Sequence, residues 1–468
     1  MVIPLLLLLC GPLGGLLGGT AFAISDELLL SRLQVQVVEH RFDNGLRLVV
    51  QTDRRAPLVA MHLQTAAGAS WDVGGPGWSE AAGMAHLVEH LLYAGSERTP
   101  HGSYDGLLAA AGAETNAWTE HHAMALTALV PVEALDLLLE LEADRMAGLS
   151  APAVAARLDL ERQVVAQERG IEREGPGGLD SLALRTLSFA PGHPERHSVL
   201  GSQAELERVS AEDVLAFHAA AFAPSSCVLV LVGDLDPALA IESVGRTLGA
   251  VPSRAGWEGP ATGPEAVRPA AATHYDDIGG TTLYASWPLP PAQHPSAAAA
   301  HLLADLLGQQ DQGVLGQARR RGRIERHSAW VELTPGGGRL LVQLRSRKGE
   351  AERLRRLLDR AVAELHEQPL PPERLSAVTA RWRSWAARVG QDPQDQAETL
   401  ARCAVETAEP TCFADHVGRH LEVPEAEIQA AARAVLDPQE RVLLVVLAPG
   451  QGARSLDGAP RLDPSELR

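Results

Sequence analysis

His86, Glu89 and His90 stand within the run Ala85-His86-Leu87-Val88-Glu89-His90-Leu91-Leu92. On an α-helix each residue advances about 100°, so His90 lies about 40° round from His86 and Glu89 about 60° to the other side. All three share one face. Two imidazoles one turn apart can hold a single Zn²⁺, and a carboxylate beside them, not bound to the metal, can take a proton from the metal's water. The order H-x-x-E-H inverts the commoner H-E-x-x-H. The flanks suit a helix with mobile approaches: Gly74-Gly-Pro-Gly77 and Ala81-Ala-Gly83 lead in, and Tyr93-Ala-Gly95-Ser96 leads out.

A catalytic zinc needs a third protein ligand and an open fourth position. Leu158-Asp-Leu-Glu161-Arg-Gln-Val-Val165-Ala-Gln-Glu168 offers two carboxylates on another helix. Glu161 and Glu168 are nearly two turns apart and project from the same side. One can bind metal while the other orients a ligand, and spacing alone does not decide which. Glu120-His121-His122 is read as surface histidines, because neighbours on a strand point to opposite faces. Trp78-Ser79-Glu80 lacks the glycine spacing of a serine nucleophile elbow.

The elements that must position these groups alternate in type. Val38–Val50 alternates apolar and polar residues around Asn44-Gly45, a hairpin signature. Leu58–Thr65 and Ala123–Val130 read as strands, whereas 83–94, 104–112, 132–146, 152–169 and 211–222 carry helical spacing. Ser210-Ala-Glu-Asp213 is a capping box. The two halves echo one another. A helix, the apolar strand Cys227–Val232 and Gly233-Asp in the first match a helix from Pro424, the strand Val442–Leu447 and Ala448-Pro-Gly in the second. Ala85-His86-Leu87 likewise faces Ala300-His301-Leu302, where Glu89 and His90 have no counterpart.

A chain of 468 residues exceeds one core and suits two domains. They are placed at 33–251, with the metal motif, and 269–450, without it, joined by a Gly/Pro-rich linker at 252–268 and followed by a tail at 451–468. Residues 1–23 read as a signal peptide ending at Ala21-Phe-Ala23, which implies a periplasmic or secreted protein rather than an anchored one. A net charge of −18 excludes a nucleic-acid binder of the ordinary basic kind. Cys227, Cys403 and Cys412 are read as small buried residues, with a Cys403–Cys412 pair as the alternative.

Taken together these motifs resemble the insulinase and pitrilysin family of zinc peptidases, over most of the mature chain. The stretch Phe42-Asp-Asn-Gly-Leu46 resembles the family's start, and Gly83–Gly95 carries its motif. Glu161-Arg162-Gln-Val-Val165-Ala-Gln-Glu168 resembles its third-ligand helix. The resemblance implies an α+β fold of two homologous domains, each a mainly antiparallel sheet covered by helices and facing the other like a clamshell. It implies one Zn²⁺ per chain on His86, His90 and Glu168, Glu89 as general base, and Glu161 orienting a ligand. Gly112-Ala-Glu-Thr-Asn116-Ala117-Trp-Thr119 resembles the family's edge strand, so Asn116 and the Ala117 backbone are expected to hold an extended or unfolded peptide as an added strand. The family's substrate-binding Arg and Tyr fall in a region where this chain has several arginines, Arg320 being read as that Arg, and His327 in place of the Tyr. That departure implies a zinc-bearing subunit working with a paralogue that supplies the pair, or as a homodimer. A non-catalytic scaffold or partner subunit is the rival reading.

Overall fold

The Asn44-Gly45 turn closes a hairpin of β1 (Val38–Arg41) and β2 (Arg47–Thr52), paired antiparallel with Val38 opposite Val50. Gly45 takes φ +93°, and the Asn44 side chain ties the turn to the carbonyls of Leu248 and Val251 at 2.8 and 2.9 Å. The strands β3 (Leu58–Thr65), β4 (Glu114–Thr119), β5 (Met124–Pro131) and β6 (Cys227–Gly233) complete a six-stranded sheet. Its order is β1-β2-β6-β3-β5-β4, with β2 and β6 parallel and the other pairs antiparallel. The computed structural model describes residues 25–175, 178–260, 270–276, 278–308, 313–334 and 336–462. The signal-peptide reading falls outside them, as do residues 261–268 of the linker and the last six residues of the tail.

A second sheet contains β7 (Ala270–Tyr275), β8 (Thr281–Leu289), β9 (Arg326–Thr334), β10 (Gly337–Ser346) and β11 (Val442–Leu447). Its order, β7-β11-β8-β10-β9, is that of the first sheet without β1, down to the single parallel pair, here β7 with β11. β6 and β11 are buried along their whole lengths, which is why both read as unbroken apolar runs. The fold is therefore two like-built domains that face each other, as the echo of the halves suggests.

Each domain also borrows a helix from the other. Pro393–Thr407, from the second half, lays Ala397, Leu400, Ala401 and Ala404 on Val49, Ala60, Val228, Val230 and Val232 of the first sheet. Asp180–Ser188, from the first half, puts Ala183 and Leu184 against Ala272, Tyr284, Leu341 and Leu444 of the second. Polar contacts follow the same crossing: Gln51 Nε2 donates to Gln396 Oε1 at 2.6 Å, and the Tyr284 hydroxyl donates to Asp180 at 2.8 Å.

One reading of the cysteines changes. Cys403, near the end of the helix Pro393–Thr407, and Cys412, at the start of Cys412–Glu422, are joined in a disulfide with Cα atoms 5.6 Å apart, and among the described residues only Cys227 is a free buried thiol. Two helices meeting through a tight turn bring together side chains that a nine-residue spacing alone does not.

Candidate metal centre and its cleft

The helix Met84–Leu91 is held by its apolar side. Met84, Ala85, Leu87, Val88 and Leu91 are buried in the first domain's core, each larger side chain contributing about 2 kcal/mol. His86, Glu89 and His90 are left on the opposite side, facing a cleft of about 1550 Å³. The cleft runs between the domains, with Thr115–Thr119 of β4 on one wall and Val331–Thr334 of β9 on the other. Both are edge strands, and β4 pairs only with β5 among the described residues.

The start of this helix is fixed by a residue with no local signature. Asp72 accepts hydrogen bonds from the backbone N–H groups of Gly83 at 2.6 Å and Ala85 at 2.9 Å. A carboxylate there satisfies two free donors and complements the positive end of the helix dipole. His197 Nε2 lies 3.2 Å from the same carboxylate. Gly83 sits at φ +93° and Gly201 at +60°, and a Cβ on Gly201 would lie 1.9 Å from the carbonyl oxygen of Ala82. The helix thus enters through a contact that only glycine permits.

Glu161 and Glu168 project from the 24-residue helix Ala151–Glu174. Glu168 Oε2 lies 3.7 Å from His86 Nε2 and 3.4 Å from His90 Nε2, and one donor atom from each of the three lies within 4.8 Å of the others. Tetrahedral zinc, with bonds of about 2.0–2.1 Å, needs neighbouring donors roughly 3.3 Å apart. The set therefore fits zinc, with His86, His90 and Glu168 as the holding residues. Glu161 lies on the far side of His90: its Oε2 is 3.4 Å from Nδ1, and its Oε1 takes a hydrogen bond from Arg157 at 2.8 Å. A carboxylate on Nδ1 leaves the Nε2 lone pair directed at the site.

Glu89 does not join the three donors. The Thr119 hydroxyl donates to its Oε2 at 2.6 Å, and burial raises its pKa. Burial, then the charge of His90, holds His86 down to about 3. His90 moves the other way: burial opposes its charge, but Glu161, Glu168 and Glu89 outweigh it and raise the pKa. The hydrogen bond from His90, above all, lowers Glu161.

Asn116 is exposed on β4 and Ala117 half-buried, both at the cleft wall. Arg320 is not brought there: it ends the helix Gly313–Arg320, exposed, and does not line the cleft. His327 is fully buried on β9. His121 and His122 are half-buried rather than exposed. They occupy the bend between β4 and β5, where strand alternation does not apply, and both line the cleft. His121 lies 3.0 Å from the His197 carbonyl and His122 2.9 Å from Glu195. Thr119 and Asp72 were missed. Thr119 stands two residues beyond Ala117 on the same strand and was within reach of sequence reasoning, whereas Asp72 meets the helix from a single 3-10 turn, Ala69–Val73, too short to leave a periodic trace.

Two stretches of the chain match models of the peptidase M16, insulinase-like, family. Residues 50–170 match "Insulinase (Peptidase family M16)" and residues 208–379 match "Peptidase M16 inactive domain". Among individual relatives, the zinc protease PqqE of Helicobacter pylori is 26% identical over 156 residues, 33% of this chain and 34% of that protein, so the match spans about a third of the relative's length. Solved folds extend further. A protease from Helicobacter pylori superposes with a TM-score of 0.81 at 17% identity, covering 89% of this chain and all of that one. The first half of the periplasmic protease PqqL from Escherichia coli gives 0.72 at 16% identity, covering 92% and 95%.

Proposed function

We propose that the protein is a zinc-dependent endopeptidase acting on extended or unfolded peptides. The observation that carries this reading is the convergence of His86, His90 and Glu168 at zinc-ligand separations, with Glu89 beside them and outside the set. Bound zinc supplies Lewis-acid polarisation of a carbonyl and makes water more acidic. Glu89, oriented by Thr119, takes the proton of the attacking water and passes it to the leaving amine. Glu161 keeps His90 in the binding tautomer. The free edge of β4, at Asn116 and Ala117, takes the peptide as an added strand, which reads backbone rather than side chains and suits an unfolded substrate.

The expected result is that Glu89→Gln retains zinc and loses at least about a hundredfold in turnover. Turnover equal to wild type in a zinc-loaded Glu89→Gln protein refutes the assignment.

A second reading is favoured by one feature. With Arg320 outside the cleft and His327 buried, neither residue at the positions expected for the Arg/Tyr pair is offered to the cleft, which favours the chain acting as the zinc-bearing subunit of a pair or as a non-catalytic partner. Peptidase assays of the chain alone and mixed with a paralogue bearing the pair separate these. Activity alone supports a self-sufficient enzyme or homodimer, activity only in the mixture a split enzyme, and zinc-free protein inactive in both a scaffold. A periplasmic or secreted location is supported by the Cys403–Cys412 disulfide, which persists in oxidising compartments. No helix among the described residues is long and apolar enough to cross a membrane.

A further inference from the structure

Three histidines of the second domain meet away from the cleft. His301 lies on the helix Ala297–Gly308, and His416 and His420 lie one turn apart on Cys412–Glu422. One ring nitrogen from each lies within 4.8 Å of the other two. His301 Nδ1 is 3.0 Å from His420 Nε2, and the rings of His416 and His420 have centroids 4.4 Å apart. None of the three lines the cleft. The arrangement repeats that of the first site, a pair at i, i+4 with a third donor from a facing helix, but it is built from imidazole alone. His301 stands where the repeat places His86, so the second domain keeps one histidine of the motif and draws two from elsewhere.

The surroundings prepare the rings for a cation. His420 Nδ1 donates to the carbonyl of His416 at 2.7 Å, which fixes the tautomer and leaves the Nε2 lone pair facing His301. A backbone carbonyl on the far nitrogen is a usual way of setting a metal-binding imidazole. Trp382 stacks on His420 with centroids 3.9 Å apart, and its indole N–H donates to Asp305 at 2.8 Å. The ring is thereby held in place. Burial, above all, lowers His301 and His416 to about 3 and His420 to about 4, so the three are uncharged at neutral pH.

Neutral imidazole is a poor donor for Mg²⁺ or Ca²⁺ and a good one for zinc and its neighbours in the transition series. We propose that His301, His416 and His420 form a second zinc site, which pins the helix Cys412–Glu422 to Ala297–Gly308. In the metal-free chain, the His301 Nδ1 proton bridges to His420. On binding, that proton moves to Nε2 of the same ring, so the imidazole stays neutral and both facing lone pairs reach the metal. Three ligands leave a fourth position for water. The site closes a corner that is already tied on one side by Cys403–Cys412 and covered by the helix Asp26–Leu33, whose Leu29 and Leu33 pack on Ala414 and Val417.

The test removes the first site so that only the second can respond. The full chain carrying His86→Ala and His90→Ala is stripped with chelator, given zinc, and passed through gel filtration. About one zinc per chain is expected to remain, with Tm raised by about 3 °C at a hundredfold excess of zinc over its dissociation constant. Adding His416→Asn, at a half-exposed position, is expected to abolish both. A folded double variant, checked by circular dichroism, that retains no zinc overturns the proposal. So does undiminished zinc after His416→Asn. Because every arm lacks the first pair of histidines, failure here is distinct from failure of the peptidase reading.

Discussion

The Asp72 carboxylate is fully buried and shared between the head of the motif helix and His197. Burial works against the charged ring of His197, but the Asp72 carboxylate outweighs it and raises the imidazole above the 6.5 of a free one. A raised folded-state pKa means that the folded protein binds this proton more tightly than the unfolded chain. The contribution is therefore fully present below pH 6.5 and is lost as pH rises through the folded value. Burial raises Asp72 too, and that part of the balance also favours acid. Denaturant midpoints measured at a series of pH values are expected to fall as pH rises above 6.5, and the His197→Gln variant to show a flatter profile there. Profiles that run parallel in the two proteins would remove His197 from the account. This residue was not visible in advance, since His197 and Asp72 are 125 positions apart. His86, Glu89 and His90 were visible because a helix converts their spacing directly into direction. Glu168 was recoverable only by adding the family's pattern to a pair of carboxylates on one helix face, and Arg320 shows where that borrowing fails: sequence proximity to the expected arginine did not carry its side chain to the cleft.

Helices rather than residues explain the disulfide. Pro393–Thr407 lies flat on the first sheet while Cys412–Glu422 packs among second-domain helices, so the turn between them joins elements with different partners. A bridge with a sequence separation of nine limits the unfolded chain by about 2–3 kcal/mol on the loop-entropy account. Replacing both cysteines by serine is expected to lower stability by that amount, read from urea midpoints. Reductant should lower the wild-type midpoint by a similar amount and leave the double variant unmoved; equal midpoints in all four conditions would show that the bridge contributes nothing. At this scale most of the fold was legible. The hairpin, β3, the capping box at Ser210 and the terminal strand β11 lie where alternation, turn residues and apolar runs put them, because each is specified by contacts close in sequence or by its own periodicity. The bridge was not, since scattered cysteines carry no period.

The whole molecule is less divisible than its duplicated plan implies. If the helix Pro393–Thr407 is taken away, Val49, Val228, Val230 and Val232 lose their cover, and each buried valine forgoes about 1.5 kcal/mol. The sum is comparable with the 5–15 kcal/mol that keeps an ordinary protein folded. The same holds for the second sheet without Asp180–Ser188, which covers Ala272, Tyr284 and Leu444. A boundary drawn in the Gly/Pro-rich segment therefore separates two sheets but not two independent folding units. Expressed alone, the fragments 25–260 and 270–462 are each expected to bind a hydrophobic dye and to associate nonspecifically, whereas the two refolded together should recover a single cooperative transition and, where zinc is supplied, the first metal site. Either fragment remaining monomeric and unfolding at the Tm of the intact chain would show that the exchanged helices are dispensable. The exchange also bears on the cleft. Its walls cannot part widely without drawing each borrowed helix off the sheet it covers, so the peptidase reading proposed above calls for a substrate that enters as a narrow extended chain, the form proposed to pair with the edge of β4.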